Sequence, residues 1–449
     1  MIPRVAYLQR LEQRREQPLV KTVSGIRGSG KTTLLALYID RLKQSGVDDG
    51  QIIFIGMEEP ENESLLHYQG LYSYVTKRLC ADRFTYVFID DIQNCADYAK
   101  ALEGLLIKKH VDLYVSLACS GAFAGVPHAE IQVLPLSFAE YLFFCKVRAG
   151  YPQIPGMDTA LGAAPDSAAG SAAPRPSRHE RRLPRHSGRL EKYLQREAFN
   201  NYLSFGGFPF AALLGGINDA GLIRRLVEGI YSTVLVKDLA RQISDIPLLE
   251  SVVKLASHAT GSSLSAKKLS AAIGAKGRKI SANTVETCLR ALASAFVLYH
   301  AGRFDIKTGK HLKTLGKYYL ADTGIRNLLL ESSAAGAPDL DSQLENIVCL
   351  ELLRRDYRVH VGKYGSDELS FVAFKNGSSA PAGGESWDPA YFQVASSVRD
   401  NAVLACKLSP LEHIQDKQPK YLLSLDETPF RSSHNGIIRM NLIDWLVNV

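Results

Sequence analysis

One short stretch of the 449-residue chain combines the residue types that bind phosphate groups. It reads Gly25-Ile26-Arg27-Gly28-Ser29-Gly30-Lys31-Thr32, a full match to the pattern GxxxxGK[ST]. The glycines let the backbone curl so that successive N–H groups face phosphate oxygens, at the positive end of the helix that follows. The Lys31 ammonium supplies a point charge for the β- and γ-phosphates, and the Thr32 hydroxyl is a ligand for Mg²⁺. The nucleotide-binding residues predicted from this loop are Gly25, Ile26, Arg27, Gly28, Ser29, Gly30, Lys31, Thr32 and Thr33.

A pair of carboxylates completes the predicted site. Asp90 and Asp91 follow the apolar run Tyr86–Ile89. At the end of a strand near the loop, Asp90 would hold Mg²⁺ through water, together with Thr32. Asp91 would polarise the attacking water, so Lys31 and Asp91 are the predicted catalytic residues. The predicted cofactors are ATP and Mg²⁺.

The elements that must position these residues follow an α/β rhythm. Residues 19–146 alternate short apolar runs with helical patterns, which is typical of a largely parallel sheet. The apolar runs hardly alternate with polar residues, as expected for strands that helices cover on both faces. Strands are predicted at Leu19–Ser24, Ile52–Ile55, Thr85–Ile89, Asp112–Leu117 and Ile131–Leu134, with helices such as Lys31–Leu42 and Ala96–Ile107 between them.

Beyond residue 150 the pattern changes several times. The first change is a loss of apolar residues in a segment rich in Ala, Pro and Arg, which predicts a disordered insertion. Helical periodicity then returns, followed by a helix-turn-helix pattern and a final α/β section. The predicted division is a P-loop ATPase-like α/β domain at 1–150, the insertion at 151–189, a helical region at 190–260, a winged-helix domain at 261–335 and an α/β domain at 340–449.

The helix-turn-helix pattern has a clear start and turn. A helix over Ser265–Ile273 precedes a turn at 274–277, and Ser281 is a suitable cap for a second helix, Asn283–Ser294. The wing strands are predicted at Phe296–Ala301 and Tyr318–Leu320. The final section predicts helices at Leu344–Leu353 and Pro410–Ile414, and strands at Tyr357–Val361, Glu368–Phe374, Tyr391–Val394 and Tyr421–Ser424.

Composition bounds the class of protein. Hydrophobic residues make up 46% and charged residues 22%, as in an ordinary folded protein. No stretch approaches the ~18 uncharged apolar residues that a membrane-spanning helix needs, so no membrane contact is expected. The seven cysteines are scattered without a CxxC pair, which argues against disulfides or a zinc site. The expected location is the cytoplasm.

Most of the net charge of +7 lies between Arg175 and Lys192, at the end of the insertion and just beyond it. Seven cations between Arg175 and Lys192 outnumber two acids, so this segment carries five of the seven net positive charges. The rest of the chain is close to neutral, which gives little support to nucleic-acid binding. The basic segment is best interpreted as a solvated tether, with RNA, DNA or an acidic surface as the alternative partner.

Further motifs fall in order along nearly the whole chain, apart from the insertion. They are Leu19–Ser24 with the glycine-rich loop, Tyr86–Gln93, Leu134–Tyr141, Phe205–Pro209, Val236–Asp238, Lys317–Asp322, Gly324–Arg326, Glu345-Asn346 and Gln393–Ala395. Together they resemble the prokaryotic AAA-type ATP-binding proteins whose C-terminal half is a domain of unknown function. In that family the C-terminal half carries a winged helix followed by a restriction-endonuclease-like module. The resemblance implies an AAA-like ATPase core.

Two positions near the predicted site depart from the family pattern. The family usually has an Asp-Glu pair where this chain has Asp90-Asp91, so the shorter Asp91 carboxylate predicts slow hydrolysis. After the fourth strand, the family pattern resembles Gly-Ser-Asn, and the Asn contacts the γ-phosphate. Here the residues are Leu117-Ala118-Cys119-Ser120, and Cys119 is a poor hydrogen-bond donor. Ser116 and Ser120 are the candidate substitutes.

The resemblance also predicts a nuclease-like site that lacks essential groups. Glu345 fits the acid on the helix, and Glu368 lies on the next strand. Ser370 stands where the family has a metal-binding Asp, and Ala395 stands where an active nuclease has a lysine. A hydroxyl and a methyl group cannot replace these ligands. We therefore expect no cleavage, and a structural or partner-binding role for the module.

Two further roles remain open in the sequence. The winged helix offers Lys276, Arg278 and Lys279 as a phosphate clamp for DNA, although a mechanical coupler between modules fits the neutral charge better. For an arginine finger, Arg241 is a candidate if the ATPase works as an oligomer, while Arg27, inside the loop, could instead contact the nucleotide or a neighbouring copy.

The function predicted from the sequence is that of an ATP-binding AAA-type P-loop protein. It would act as a weak ATPase or as a nucleotide-dependent switch that relays the ATP state to its C-terminal domains. The alternatives are a DNA-associated binding protein that uses the winged helix and basic linker, and a metal-dependent nuclease. The candidate partners are ATP, further copies of the chain in a homo-oligomer, and DNA.

Overall fold

The computed structural model describes most of the chain outside the predicted insertion. The described residues are 2–121, 123, 125–148, 187–214, 220–240, 242–275, 277–331, 339–375, 388–427 and 432–448. Most of the insertion predicted at 151–189 lies outside these residues, and so do Arg241 and Lys276. The last three residues of that segment, 187–189, are helical.

The N-terminal part is a parallel five-stranded sheet, as the sequence pattern predicts. Its strands are β1 (Val20–Ser24), β2 (Ile52–Gly56), β3 (Thr85–Asp90), β4 (Val111–Leu117) and β5 (His128–Gln132). Its helices are α1 (Val5–Glu12), α2 (Lys31–Gln44), α3 (Tyr68–Thr76), α4 (Tyr98–Leu106) and α5 (Phe138–Arg148), with 3₁₀ turns at Asp49–Gln51, Pro60–Leu65 and Ile92–Asn94. The strand order is β2-β3-β4-β1-β5. The carboxyl ends of β1, β3 and β4 therefore lie at one edge of the sheet.

A series of helices follows, first those of the predicted helical region and then those of the helix-turn-helix segment. Its helices are α6 (Ser187–Phe205), α7 (Pro209–Leu214), α8 (Ala220–Thr233), a π-helix at Val234–Leu239, α9 (Ile246–His258), α10 (Ala266–Gly274) and α11 (Ala282–Ser294). The predicted cap at Ser281 is present, since its hydroxyl accepts a hydrogen bond from Thr284 N at 3.0 Å. Ser265, predicted as the first residue of its helix, is also a cap and accepts from Lys268 N at 3.2 Å. Helices α10 and α11 match the predicted helix-turn-helix to within one residue at each end.

The predicted wing belongs to a larger sheet. The remaining strands are β6 (Leu298–Asp305), β7 (Lys310–Leu320), β8 (Tyr357–Tyr364), β9 (Asp367–Lys375), β10 (Pro389–Val394), β11 (Lys420–Ser424), β12 (Ser432–His434) and β13 (Ile437–Asn441). They form one sheet in the order β12-β13-β11-β10-β9-β8-β6-β7. The hairpin β6–β7 is joined to the C-terminal strands by parallel pairing of β6 with β8. The segments predicted as a winged helix and as a C-terminal domain thus share a sheet.

The remaining helices flank this sheet. They are α12 (Thr323–Glu331), α13 (Leu340–Arg354), α14 (Asn401–Glu412) and α15 (Leu442–Asn448). The long helix α14 differs from the predicted short helix Pro410–Ile414, because Asp400 caps its first turn through Ala402 N and Val403 N. In the described part of the chain, no helix has the length and apolar character to cross a bilayer.

The hydrophobic cores connect the parts of the chain. Ile26, in the glycine-rich loop, is fully buried in a core cluster with Phe208, Val227 and Val234 from the helical region. The same cluster continues to Leu292 on α11. The loop predicted to bind phosphate is therefore packed directly against the helical region.

Candidate functional site

The glycine-rich loop follows β1 and ends at the start of α2. Gly25, Gly28 and Gly30 all have positive φ angles, of 148°, 82° and 95°, which favour glycine. A side chain on Gly25 would overlap the Val133 carbonyl. A methyl group on Gly28 would lie 2.5 Å from Ile230 Cδ1. The loop conformation and its close packing therefore explain these two glycines.

The start of α2 has the features of an anion site. Gly30 occupies the N-cap, and no side chain caps the first turn, so its backbone N–H groups are available to a ligand. Lys31 Nζ donates to the carbonyl oxygens of Gly25 at 2.9 Å and Ile26 at 3.2 Å. Burial lowers the pKa of the Lys31 ammonium, and the charges of Asp91 and Asp90 act in the opposite direction. The Lys31 side chain thus lies along the inside of the loop.

Asp90 meets Thr32 across the sheet edge. The Thr32 hydroxyl donates to Asp90 Oδ2 at 2.7 Å, and the Ser116 hydroxyl donates to Asp90 Oδ1. Burial raises the pKa of Asp90, while hydrogen bonds from Ser116 and Thr32 lower it. The two residues predicted to hold Mg²⁺ are therefore adjacent, and their oxygen atoms are the donor type that this ion prefers.

Asp91 lies between the loop and a positive side chain. Its carboxylate accepts a hydrogen bond from Gln93 Nε2 at 2.9 Å and lies 3.8 Å from Arg27 Nη1. Its backbone N–H donates to Ser116 Oγ at 2.8 Å, and its φ of 53° is in the left-handed region. The Asp91 side chain is thus held at the edge of the same site.

A cavity of about 330 Å³ opens over the loop. It is lined by Arg27, Gly28, Gly30, Lys31, Thr32, Thr33, Asp91, Pro209 and Phe210. The Ser29 hydroxyl oxygen is buried and lacks a hydrogen-bond partner among the described residues. Glycine backbone, an ammonium group and hydroxyl and carboxylate oxygens together fit a magnesium–triphosphate group. In that site Thr32 and Asp90 would hold Mg²⁺, which would neutralise charge on the phosphates.

Sequence reasoning missed Arg4, which supports the loop from the N-cap position of α1. Arg4 is 4% exposed. Its Nη1 donates to the carbonyl oxygens of Ser29 at 3.1 Å and Leu134 at 2.9 Å. Its other nitrogens form two hydrogen bonds of 2.8 Å with the Glu140 carboxylate. Because these partners lie up to 136 positions away, only the fold reveals the contact.

Replacing Arg4 should therefore destabilise the protein and weaken nucleotide binding. Arg4→Met removes the donors to Ser29 and leaves the Glu140 carboxylate without its guanidinium partner. We expect a loss of about 2–3 kcal/mol in the free energy of unfolding, measured by urea denaturation. The double variant Arg4→Met/Glu140→Gln should regain part of this loss, since it removes the unpaired charge. An equally unstable double variant would contradict this role for the ion pair.

Ser116 and Ser120, the candidate substitutes for the missing γ-phosphate contact, both form hydrogen bonds within the protein. Ser116 bonds to Asp90 and to Asp91 N. Ser120 donates through its N–H and its hydroxyl to the Ser294 carbonyl, at 2.6 and 3.2 Å, at the end of α11. The end of β4 is therefore in contact with the helix-turn-helix segment.

The residues of the predicted nuclease-like site do come together. Ser370 Oγ donates to Glu345 Oε1 at 2.8 Å, and Gln393 accepts from Ser370 N at 2.8 Å. The buried Lys317 ammonium lies 3.4 Å from Glu345 Oε2 and 2.9 Å from Glu368 Oε1. A lysine from the hairpin thus pairs with both carboxylates of the predicted site.

The structure describes two of the three residues of the predicted DNA clamp. Lys276 lies outside the described residues. Arg278 forms an ion pair with Asp245, the N-cap residue of α9. Lys279 is exposed. No described contact distinguishes this surface from an ordinary charged one.

Two segments of the chain match known families. Residues 17–142 match a family described as AAA domain. Residues 196–335 match a family described as Domain of unknown function (DUF8612). The first match contains the parallel sheet, the glycine-rich loop and the Asp90-Asp91 pair. It supports an AAA-type P-loop ATPase fold for the N-terminal part, as predicted. The second spans both the helical region and the helix-turn-helix segment.

The chain is also similar to individual proteins. An uncharacterized protein of Haemophilus influenzae is 26% identical over 457 residues, which cover 100% of this chain and 99% of that protein. A Walker-type ATPase of Pyrococcus abyssi has a TM-score of 0.47 and 13% identity, covering 73% of this chain and 96% of its own. The Orc1 protein of Aeropyrum pernix, in complex with DNA, has a TM-score of 0.31 and 15% identity, covering 74% and 93%. Both TM-scores are low, so the assignment rests on the AAA match.

Proposed function

We propose that this chain binds ATP with Mg²⁺ and acts as a weak ATPase or a nucleotide-dependent switch that relays the ATP state to its C-terminal half. One observation carries the proposal. Thr32 and Asp90 are hydrogen-bonded beside a cavity that Lys31 and the glycine-rich loop line, within the residues that match the AAA domain. Oxygen ligands and a phosphate cradle meet here as ATP binding requires.

The relay to the C-terminal half is supported by the packing of the loop. Ile26 lies in the core of the helical region, and Gly28 lies against Ile230 and Phe208. Ser120, just beyond β4, bonds to Ser294 at the end of α11. Because packed interfaces respond to displacement in discrete steps, a loop that moves on nucleotide binding would shift these contacts.

We also propose identities for the C-terminal modules. Residues 261–335 would form a winged helix, with α10 and α11 as its helices and β6–β7 as its wing. Residues 340–449 would form a restriction-endonuclease-like module without cleavage activity. The lack of cleavage is supported by Ser370, whose hydroxyl stands where the family has a metal-binding carboxylate and donates to Glu345.

Slow turnover should reflect the short reach of Asp91. Asp91→Glu extends the carboxylate by one methylene toward the attacking water, and a shift of about 1 Å in a reacting group can change a rate about 100-fold. We therefore expect Asp91→Glu to raise kcat about 10- to 100-fold above wild type. The measurement is phosphate release from Mg-ATP, with and without DNA.

The matched control is Asp91→Asn, which keeps the size of the side chain and removes its basicity. Its turnover should fall to background while ATP still binds. If Asp91→Asn hydrolyses ATP as fast as wild type, Asp91 is not the base. If neither wild type nor Asp91→Glu exceeds background while both bind ATP, the switch function holds and the ATPase function fails.

A further inference from the structure

Arg27 is surrounded by more negative charge than it can neutralise. Its guanidinium makes two hydrogen bonds with Asp238, at 3.0 and 3.2 Å. It also lies 3.2 Å from Glu58 Oε1 and 3.8 Å from Asp91 Oδ2. Three carboxylates, from the ends of β2 and β3 and from the π-helix, therefore share this guanidinium. Lys237 offsets part of the excess through Glu58, at 3.4 Å.

Asp238 depends on Arg27. Its side chain is 3% exposed, and the hydrogen bonds described for its carboxylate both come from Arg27. Removing the cationic partner of a buried carboxylate strongly destabilises the folded state, because the remaining charge is uncompensated. The position of Arg27 is therefore linked to the stability of the segment that carries Asp238.

That segment is a π-helix, Val234–Leu239. π-helices are rare in proteins, and those that occur are often found at functional sites. Val234, Leu235 and Leu239 are buried in the same core as Ile26. The π-helix also lines a second cleft of about 580 Å³, together with Met57 and Glu58 from the end of β2. A change in the π-helix would thus alter both a core and a cleft.

We infer that Arg27 is the residue that distinguishes ATP from ADP, and that it exchanges its bond with Asp238 for one with the γ-phosphate. This inference rests on the proposed function. Arg27 lines the same cavity as Lys31 and Thr32, and a guanidinium binds phosphate in the same two-pronged way as it binds a carboxylate. A γ-phosphate competes with Asp238 for one set of donors, whereas ADP offers no such competitor. Asp238 is the positioning residue that transmits the exchange to the π-helix.

Two variants should shift the nucleotide preference in opposite directions. Arg27→Ala removes a charged hydrogen-bond donor of the γ-phosphate, so affinity for the non-cleavable analogue AMP-PNP should fall about tenfold or more while ADP affinity changes little. Asp238→Asn removes the competing charge, so affinity for AMP-PNP should rise about threefold with ADP unchanged. Both affinities are measured by calorimetry with Mg²⁺ on the full chain.

Hydrogen exchange of the π-helix gives an independent readout. In wild type, AMP-PNP should speed amide exchange over residues 234–240, and ADP should not. In Asp238→Asn, exchange should be fast without nucleotide and should not respond to AMP-PNP. The matched control is Val236→Ala, which shortens an exposed apolar side chain of the same π-helix without changing the charges around Arg27, and it should keep the wild-type response.

The two ideas fail in different ways. The proposed function fails if neither AMP-PNP nor ADP binds to the wild type. It also fails if Lys31→Ala binds both nucleotides as tightly as the wild type does. If both nucleotides bind through Lys31 but the AMP-PNP to ADP ratio is the same in wild type, Arg27→Ala and Asp238→Asn, the role of Arg27 is wrong and the proposed function stands. A loss of affinity for both nucleotides alike in Arg27→Ala also overturns the discrimination.

Discussion

Lys31→Ala should lower ATP affinity at least about 100-fold, the largest effect that we expect from a single substitution in the site. The ammonium group is the one cation within the loop that touches backbone carbonyls of the loop itself, at Gly25 and Ile26. It is the group placed to meet the β- and γ-phosphates. Its bonds to phosphate are charge-assisted and desolvated, since Lys31 is 6% exposed.

A matched lysine on the same helix serves as the control. Lys43 lies in the last turn of α2 and pairs with Asp49 at 2.7 Å. Lys43→Ala should bind ATP as wild type does. Circular dichroism and thermal melting should show that both variants are folded, because α2 gains a good helix former in each case. Equal ATP affinity in Lys31→Ala and wild type would mean that the loop is not a phosphate site.

The residues of this site were largely predictable because they are local in sequence. The glycine-rich loop is one continuous motif, and Asp90 ends a strand whose apolar pattern is unmistakable. The burial of every residue of β1 and β3 explains why runs without alternation gave the correct strands. The position of Asp90 beside Thr32 then follows from parallel strands whose carboxyl ends share one edge.

The supporting contacts were not predictable, because they join distant positions. Arg27 and Asp238 are separated by 211 positions, and Asp322 and Gly207 by 115. No periodicity relates such residues. The motifs Val236–Asp238 and Phe205–Pro209 were visible in the sequence, but their chemistry appears only when the helical region packs on the loop.

Edge strands and the hairpin explain the errors in element bounds. β5 spans His128–Gln132 and not Ile131–Leu134, because an edge strand pairs on one side and exposes polar residues. The hairpin strands extend well beyond the predicted bounds, through polar residues such as Arg303 and Lys310. They continue because β6 pairs with β8 of the C-terminal strands. The sequence pattern of either segment alone does not indicate a sheet that spans two predicted domains.

Asp322→Ala should cause the largest loss of stability. The Asp322 carboxylate is 2% exposed and accepts three backbone hydrogen bonds, from Gly207 N at 2.6 Å, Gly324 N at 2.8 Å and Ile325 N at 3.3 Å. Alanine leaves these N–H groups without an acceptor in a buried place, at about 1–3 kcal/mol each. We expect a loss of about 3–6 kcal/mol in the free energy of unfolding. Because Gly207 adjoins Phe208, which lies in the same buried core as Ile26, nucleotide affinity should also fall.

The same carboxylate gives a pH dependence with a definite sign. Burial raises the pKa of Asp322 to about 6, while the backbone hydrogen bonds lower it. An aspartate in an unfolded chain titrates near ~4. Since the folded state holds its proton more tightly, the contribution of Asp322 to stability is full below about pH 4. This contribution is lost as the pH rises through about 6, and the total loss in the free energy of unfolding is about 3 kcal/mol.

Asp322→Asn separates the titration from the hydrogen bonds, because it keeps one acceptor oxygen and cannot ionise. Between pH 4 and pH 7, the stability of Asp322→Asn relative to wild type should therefore rise by up to about 3 kcal/mol, measured from urea denaturation at each pH. The matched control is Asp339→Ala, which removes an exposed aspartate that caps α13 and should cost about 1 kcal/mol at either pH. A difference between Asp322→Asn and wild type that is constant from pH 4 to 7 would show that this carboxyl group does not carry a raised pKa. A cost for Asp322→Ala no greater than that for Asp339→Ala would contradict the role of Asp322 in joining the start of α12 to the turn at Gly207.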